Sequence, residues 1–131
     1  MLVFYVTHPN LQHAEKIAIE LLEKKLIACA NFMPITSIYP WKGEIQNDNE
    51  VASILKTSDS NKQEVIDTIK DLHDYELPCI IWSNVESTDE YGAWIMSNSD
   101  RSMWWPFLFD VINFIFDHND KVVMAYIALR L

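Results

Sequence analysis

The residue types best suited to chemistry lie together in one short loop. An imidazole at His73 is followed by a carboxylate at Glu76 and a thiol at Cys79. These are the ligand types by which proteins hold copper or zinc. His73, Glu76 and Cys79 are therefore the candidate metal ligands, with copper or another divalent cation as the ion and no cofactor required. Their spacing matches no closed metal motif, and the alternative is that His73 and Glu76 close the loop through hydrogen bonds.

The remaining histidines give weaker indications of a site. His8 and His13 are one helix turn apart, and His8 comes where a first strand ends. Strand ends are positions that metal ligands use, but a lone histidine there is more often a local hydrogen-bonding group. His118 lies in a polar break near the C-terminus, which is typical of a solvated turn.

Composition excludes several classes of function. A net charge of -9 argues against a nucleic-acid partner, because phosphates would be repelled. The glycines, Gly43 and Gly92, are too few for a phosphate loop or a dinucleotide fingerprint. No nucleophile is paired with a base, so we expect a non-enzymatic protein. The N-terminus is typical of a strand, not a signal peptide, and the two cysteines are too few for a disulfide framework, so we expect a cytoplasmic location.

Hydrophobic periodicity predicts a single α+β domain. Apolar runs with β-branched residues predict strands, and apolar residues at helical spacing predict helices. The predicted strands are Leu2–Thr7, Leu26–Tyr39 (interrupted at Pro34), Glu44–Thr57 and Cys79–Val85, and the predicted helices are Leu11–Lys25, Lys62–Leu72 and Glu90–Met96. This order is the ferredoxin-like split βαβ arrangement, with one antiparallel sheet and the first two helices on one face. Strands two and four would then lie at opposite edges, which places Cys29 and Cys79 beyond disulfide reach.

A long β-hairpin is the feature around which the other elements are arranged. Alternating apolar residues over 35–41 lead into a glycine turn at Gly43 and a polar return strand. A hairpin of this length would overhang a small domain, and its open edges would need a covering partner. The sheet face opposite the helices would likewise be an exposed apolar patch in a monomer. Both features predict an oligomer.

The C-terminal segment, 101–131, differs from the rest and is predicted to be an apolar extension of unknown role beyond a domain of residues 1–100. Its aromatic run, Trp104–Phe116, is shorter than the ~20 residues that span a bilayer. Packing on its own domain or on a partner subunit is favoured. Membrane contact through 104–131 is the less favoured alternative, because a basic face is missing.

Motifs spread along Leu2–Met96 resemble the CutA family of divalent-cation-tolerance proteins. The matching motifs are Val6-Thr7 with Pro9; Leu26-Ile27-Ala28-Cys29-Ala30-Asn31; Pro34 with Ser37-Ile38-Tyr39 and Trp41-Lys42-Gly43; Glu50-Val51 and Lys56-Thr57; His73, Tyr75-Glu76 and Pro78; and Tyr91 with Trp94-Ile95.

The resemblance implies a tight homotrimer, similar in architecture to the PII signalling proteins, in which the hairpins wrap onto neighbouring subunits. The implied trimer contacts are Ile38, Tyr39, Trp41 and Trp94, and the implied lining of the cleft between subunits is Tyr39, Trp41, Lys42 and Tyr75. The implied function is divalent metal (copper) tolerance by weak metal binding or by signalling to a partner. The alternative is a PII-like sensor that binds a small anion or a nucleotide in the cleft. Basic residues converging around Lys42 would favour that alternative.

The chain departs from the family pattern near the candidate ligands. Asp74 stands where the family has proline in His-Pro-Tyr, and Cys79 stands where it has glutamate in Pro-Glu-Ile. Thr88-Asp89 replaces the usual Gly-Asn, and residues after Asp100 have no family counterpart. The departures around His73 affect residues on which metal binding in the family partly depends.

Overall fold

The four strands form one antiparallel sheet in the order β2-β3-β1-β4. The computed structural model describes residues 1–101. In chain order the elements are β1 (Leu2–His8), α1 (Leu11–Glu23), β2 (Cys29–Trp41), β3 (Glu44–Thr57), a 3₁₀ turn (Asp59–Asn61), α2 (Lys62–Leu72), β4 (Ile80–Asn84) and α3 (Asp89–Ser99). The predicted α+β, ferredoxin-like fold is confirmed.

The core forms between the sheet and the apolar faces of α1 and α2. Successive side chains of a strand point to opposite faces, so alternate residues of β1 are buried. Leu2, Phe4 and Val6 pack in this core, and His8 continues the same inward row. The helices contribute residues at helical spacing, and those in the core are Ile17, Leu21, Val65, Ile66 and Ile69.

The hairpin of β2 and β3 extends past the rest of the sheet. Its pairing runs from Cys29 opposite Lys56 to Trp41 opposite Glu44. Because β1 pairs with β3 only from Val51 to Thr57, no third strand of residues 1–101 lies beside the outer part of the hairpin. Lys42 (φ 50°) and Gly43 (φ 82°) make the turn, as a two-residue hairpin loop with positive φ at both positions requires.

The bounds of α1, β2 and α3 differ from the predicted ones by two residues or more at one end at least, and those of β1 and β4 differ by one residue. Helix α1 ends at Glu23, because Lys25 adopts a left-handed φ of 55° and the Leu26 amide closes the end by donating to the Leu21 carbonyl. Strand β2 therefore begins at Cys29, and Pro34 is accommodated inside it because β2 is an edge strand. Helix α3 runs on to Ser99, whose buried side chain anchors its end.

Cys29 and Cys79 are both unpaired and belong to opposite sides of the sheet, on β2 and just before β4. Within residues 1–101, no helix has the length and apolar character needed to cross a membrane. The predicted extension after residue 101, with Trp104–Phe116 and His118, lies outside the described residues, and the division at residue 100 stays a prediction.

Candidate metal centre

Three histidines from three elements meet at one end of the fold. His8 is the last residue of β1, His13 lies in the first turn of α1, and His73 follows the last residue of α2. One nitrogen from each imidazole lies within 4.8 Å of the other two, and this is the group of potential metal ligands found among the described residues. The group is called the histidine cluster below.

The topology explains why residues so distant in sequence meet. His8 continues the inward row of β1, and the chain turns at once into α1, which brings His13 beside it. Strand β3 runs antiparallel to β1 and ends at Thr57, opposite Leu2. Helix α2 starts from that end and runs back, so His73 arrives at the end of β1 that His8 occupies.

The hydrogen bonds of the cluster fix the tautomer of each neutral imidazole. The Tyr75 amide donates to His73 Nδ1 (3.1 Å), so His73 Nε2 carries the proton and donates to the Thr7 carbonyl (2.8 Å). The Asp74 amide donates to His13 Nε2 (3.3 Å), so His13 Nδ1 carries the proton and donates to His8 Nδ1 (3.0 Å). His8 Nε2 then donates to the Ser53 hydroxyl (2.8 Å). All three imidazoles are therefore satisfied in the uncharged form.

Burial disfavours the charged forms of His8 and His13. Burial lowers the pKa of His8 from 6.5 to about 3, and the neighbouring His73 and His13 add to the decrease. Burial also lowers the pKa of His13, with His73 contributing in the same direction and Asp74 opposing it. Metal ions bind the neutral imidazole, so the lowered pKa values of His8 and His13 suit that role.

The donor set suits a divalent transition metal, and the spacing between His8 and His13 matches that of two ligands on one ion. Neutral imidazole nitrogen is a ligand for zinc, copper and nickel. Two nitrogens bound to one ion at ~2.0–2.1 Å lie roughly 2.9–3.4 Å apart for right-angled to tetrahedral geometry. His8 Nδ1 and His13 Nδ1 are 3.0 Å apart and share a proton in the metal-free hydrogen-bond pattern. The residues His8, His13 and His73 would hold the ion, and Asp74, whose carboxylate is 3.6 Å from His13 Nε2, could orient His13.

The pKa of His8 leads to a prediction about acid stability. The unfolded chain takes up a proton at His8 below about pH 6.5, whereas the folded chain does so only near pH 3. The contribution of His8 is therefore complete above pH 6.5 and is lost as the pH falls towards 3, at up to ~1.4 kcal/mol per pH unit. Urea unfolding of the metal-free protein between pH 7 and 5 should show this loss, and the loss should be smaller in His8→Gln. Equal slopes for the two proteins would contradict the assignment.

The structure gives His73 neighbours other than Glu76 and Cys79. Glu76 lies 3.8 Å from the Lys42 ammonium, and both side chains are largely exposed. Cys79 lines a neighbouring cavity, and neither residue belongs to the histidine cluster. His73 does close the loop through hydrogen bonds, which is the alternative to metal ligation that the sequence suggested for it.

A cavity of ≈ 780 Å³ lies between the hairpin and the loop that follows α2. Tyr39, Trp41 and Tyr75, three of the residues predicted for a ligand cleft, line it. The Tyr75 hydroxyl donates to Glu50 (2.6 Å) and the Tyr39 hydroxyl donates to Asp48 (2.6 Å). The bond to Asp48 raises the pKa of Tyr39 to about 12, and burial, then the bond to Glu50, raises the pKa of Tyr75.

The remaining predicted residues are exposed in the single chain. Lys42 is not among the lining residues of the cavity, whose charged members are Glu50, Asp74 and Glu76. Ile38 is 69% exposed and Trp94 is 47% exposed, with the Trp94 ring stacked on Tyr91. The predicted contacts of Ile38 and Trp94 with another subunit therefore stay a prediction.

The sequence pattern paired His8 with His13, but it did not predict that His73 joins them. The signal was present: alternation along β1 places His8 on the buried face with Leu2, Phe4 and Val6. A polar side chain that continues a buried row must find partners there. His13 and Ser53 are those partners.

Comparisons with known proteins agree with the fold and the motifs. The chain is 38% identical over 102 residues to the divalent-cation tolerance protein CutA of Pyrococcus horikoshii, covering 77% of this chain and all of that one. It is 41% identical over 93 residues to the human protein CutA, covering 70% of this chain and 52% of that one. The crystal structure of CutA1 from Pyrococcus horikoshii matches with a TM-score of 0.75 at 36% identity, covering 77% of this chain and all of that one.

A second solved structure extends the comparison to the PII-like proteins. The PII-like protein CutA from Nostoc sp. PCC 7120 matches with a TM-score of 0.71 at 33% identity, covering 76% of this chain and 97% of that one. The profile of the family described as CutA1 divalent ion tolerance protein matches residues 2–98. The chain therefore belongs to the CutA1 divalent ion tolerance family.

Proposed function

We propose that this protein is a non-enzymatic, metal-responsive protein that binds a divalent transition metal ion, copper or zinc, at the histidine cluster. The observation that carries the proposal is the convergence of three imidazole nitrogens within 4.8 Å at one end of the sheet. The lowered pKa values of His8 and His13 support it, because protons compete weakly for these ligands at neutral pH. The names of the relatives, which are divalent-cation tolerance proteins, agree with such a role.

The same proposal includes a homotrimer. Large apolar side chains are exposed on the protruding hairpin and the nearby loop, with Ile38 at 69%, Ile45 at 80% and Leu77 at 73% exposure. Apolar residues clustered in this way usually mark a contact surface. Copies of this chain are the proposed occupant, and light scattering should give the mass of three chains.

We also propose that the protein lies in the cytoplasm. Cys29 and Cys79 are unpaired, which suits a compartment that keeps thiols reduced. Fractionation of the producing cell, followed by detection of the full-length chain, tests this part independently of metal binding.

The alternative of a sensor for an anion or nucleotide has less support in this chain. The charged lining residues of the cavity, Glu50, Asp74 and Glu76, are all acidic. The nearby Lys42 ammonium is 3.8 Å from Glu76 and is partly neutralised by it. An anion in this part of the chain would meet repulsion, whereas a cation would not.

Calorimetric titration with zinc and with copper tests the proposal. Wild type should bind through a single class of site, and His13→Gln should weaken binding at least ~10-fold, because one nitrogen ligand is lost. His13 is only partly buried, so this variant is the least disruptive of the three histidine replacements. Circular dichroism should confirm that it folds.

Cys79→Ser is the matched control. Cys79 belongs to the ligand set predicted from the sequence but not to the histidine cluster. Its replacement should leave the affinity within about twofold of wild type, since surface changes away from a site have small effects. Metal binding that survives His13→Gln and disappears in Cys79→Ser would refute the histidine cluster as the site.

A further inference from the structure

Backbone amides of the loop after α2 are hydrogen-bonded to the histidine cluster. The amides of two successive residues, Asp74 and Tyr75, each donate to an imidazole nitrogen. Asp74 bonds to His13 Nε2 at 3.3 Å, and Tyr75 bonds to His73 Nδ1 at 3.1 Å. Each bond occupies the lone pair of a neutral histidine, which is also the group that ligates a metal.

A neutral His73 has one lone pair, so it cannot both ligate a metal ion and accept a hydrogen bond from the Tyr75 amide. If His73 ligates through Nδ1, that nitrogen can no longer accept from the Tyr75 amide. If it ligates through Nε2, the proton must move to Nδ1, and two N–H groups then face each other. The Tyr75 amide loses its acceptor in both cases.

His13 likewise has one lone pair, which accepts a hydrogen bond from the Asp74 amide. Ligation through Nε2 removes the acceptor of the Asp74 amide directly. Ligation through Nδ1, the nitrogen that faces His8, requires a proton on Nε2, where it opposes the Asp74 amide. In that second case the Asp74 carboxylate, 3.6 Å away, is available to accept from Nε2.

We infer that a metal ion and the backbone amides of Asp74 and Tyr75 compete for the same imidazole lone pairs. Metal binding would therefore break the two hydrogen bonds that hold this loop to His13 and His73. This inference rests on the proposed function. Its consequence lies in the cavity, because Asp74, Tyr75 and Cys79 line it and the Tyr75 hydroxyl is bonded to Glu50. Metal occupancy at the end of β1 is thereby converted into a change in the wall of the cavity, which is a surface that a partner or ligand could detect.

Amide hydrogen exchange, measured by NMR with and without zinc on the full chain, tests the inference directly. Saturating zinc should reduce the protection of the Asp74 and Tyr75 amides about tenfold or more, because each loses its acceptor. The Ala28 amide, which donates to the Lys56 carbonyl at 2.9 Å, is the internal control and should keep its protection. Zinc binding that leaves both loop amides as protected as before would overturn the inference.

A pair of variants at Asp74 tests the competition through affinity. Asp74→Pro removes the amide donor and the charge, whereas Asp74→Asn removes the charge and keeps the donor. The preceding residue His73 has φ -80° and ψ 136°, a conformation that a following proline favours. Competition predicts that Asp74→Pro binds zinc about two- to tenfold more tightly than Asp74→Asn, the equivalent of one released hydrogen bond.

The outcomes separate this inference from the proposed function. Equal or weaker zinc affinity in Asp74→Pro, compared with Asp74→Asn, would overturn the competition while leaving the metal site in place. A wild-type chain that binds neither zinc nor copper would instead refute the proposed function itself. Loss of protection at both amides together with tighter binding in Asp74→Pro would establish the inference.

Discussion

Zinc at about one hundred times its dissociation constant should raise the free energy of unfolding of the wild-type chain by about 2.7 kcal/mol. The gain arises because the folded chain holds the three imidazoles together, whereas the unfolded chain separates His73 from His8 by about half of its length. The same zinc concentration should stabilise His8→Gln by only about 0.4 kcal/mol, because a ~100-fold loss of affinity leaves the site half occupied. Urea unfolding with and without zinc measures both values.

His8 is expected to show the largest effect because its position is the most constrained. Its side chain is 1% exposed and is held by hydrogen bonds to both Ser53 and His13. Glu76→Gln is the matched control, since it removes a nearby carboxylate that lies outside the cluster. Equal zinc stabilisation of His8→Gln and wild type would exclude His8 as a ligand.

Asn61→Asp should lower the free energy of unfolding by about 3–5 kcal/mol, because it places an uncompensated charge in the core. The Asn61 side chain is 4% exposed, and its amide nitrogen donates to the Leu26 carbonyl, the Thr57 hydroxyl and the Ser99 carbonyl. These contacts join the loop before β2, the end of β3 and the end of α3. An aspartate would turn a donor facing oxygen atoms into an acceptor that repels them.

Asn98→Asp is the control for this prediction. Asn98 is exposed, and its amide donates to the Trp94 carbonyl near the end of α3. The same chemical change there should cost about 1 kcal/mol or less, mainly from a negative charge near a helix C-terminus. Similar losses in the two variants, measured by urea unfolding, would show that the contacts of Asn61 do not secure the fold.

The elements could be predicted because their signals are local. Alternation along β1, helical spacing in α2 and the turn at Gly43 each depend on residues within a few positions of one another. Helix α2 and strand β3 have the bounds that the sequence predicts. The end of α1 was less predictable, because the left-handed Lys25 follows from closure of the helix end and not from residue type.

The sequence by itself determined the fold class and the family, and it indicated His73 as a candidate ligand. Local periodicity and short motifs carry that information, and they need no knowledge of which elements are neighbours. Only the tertiary structure decided which residues surround His73. The antiparallel return of β3 and α2 brings it to His8 and His13 instead of Glu76 and Cys79. The sequence separation of His8, His13 and His73 hides this grouping, because strand order and the return of α2 bring them together, and burial in that place lowers the pKa of His8.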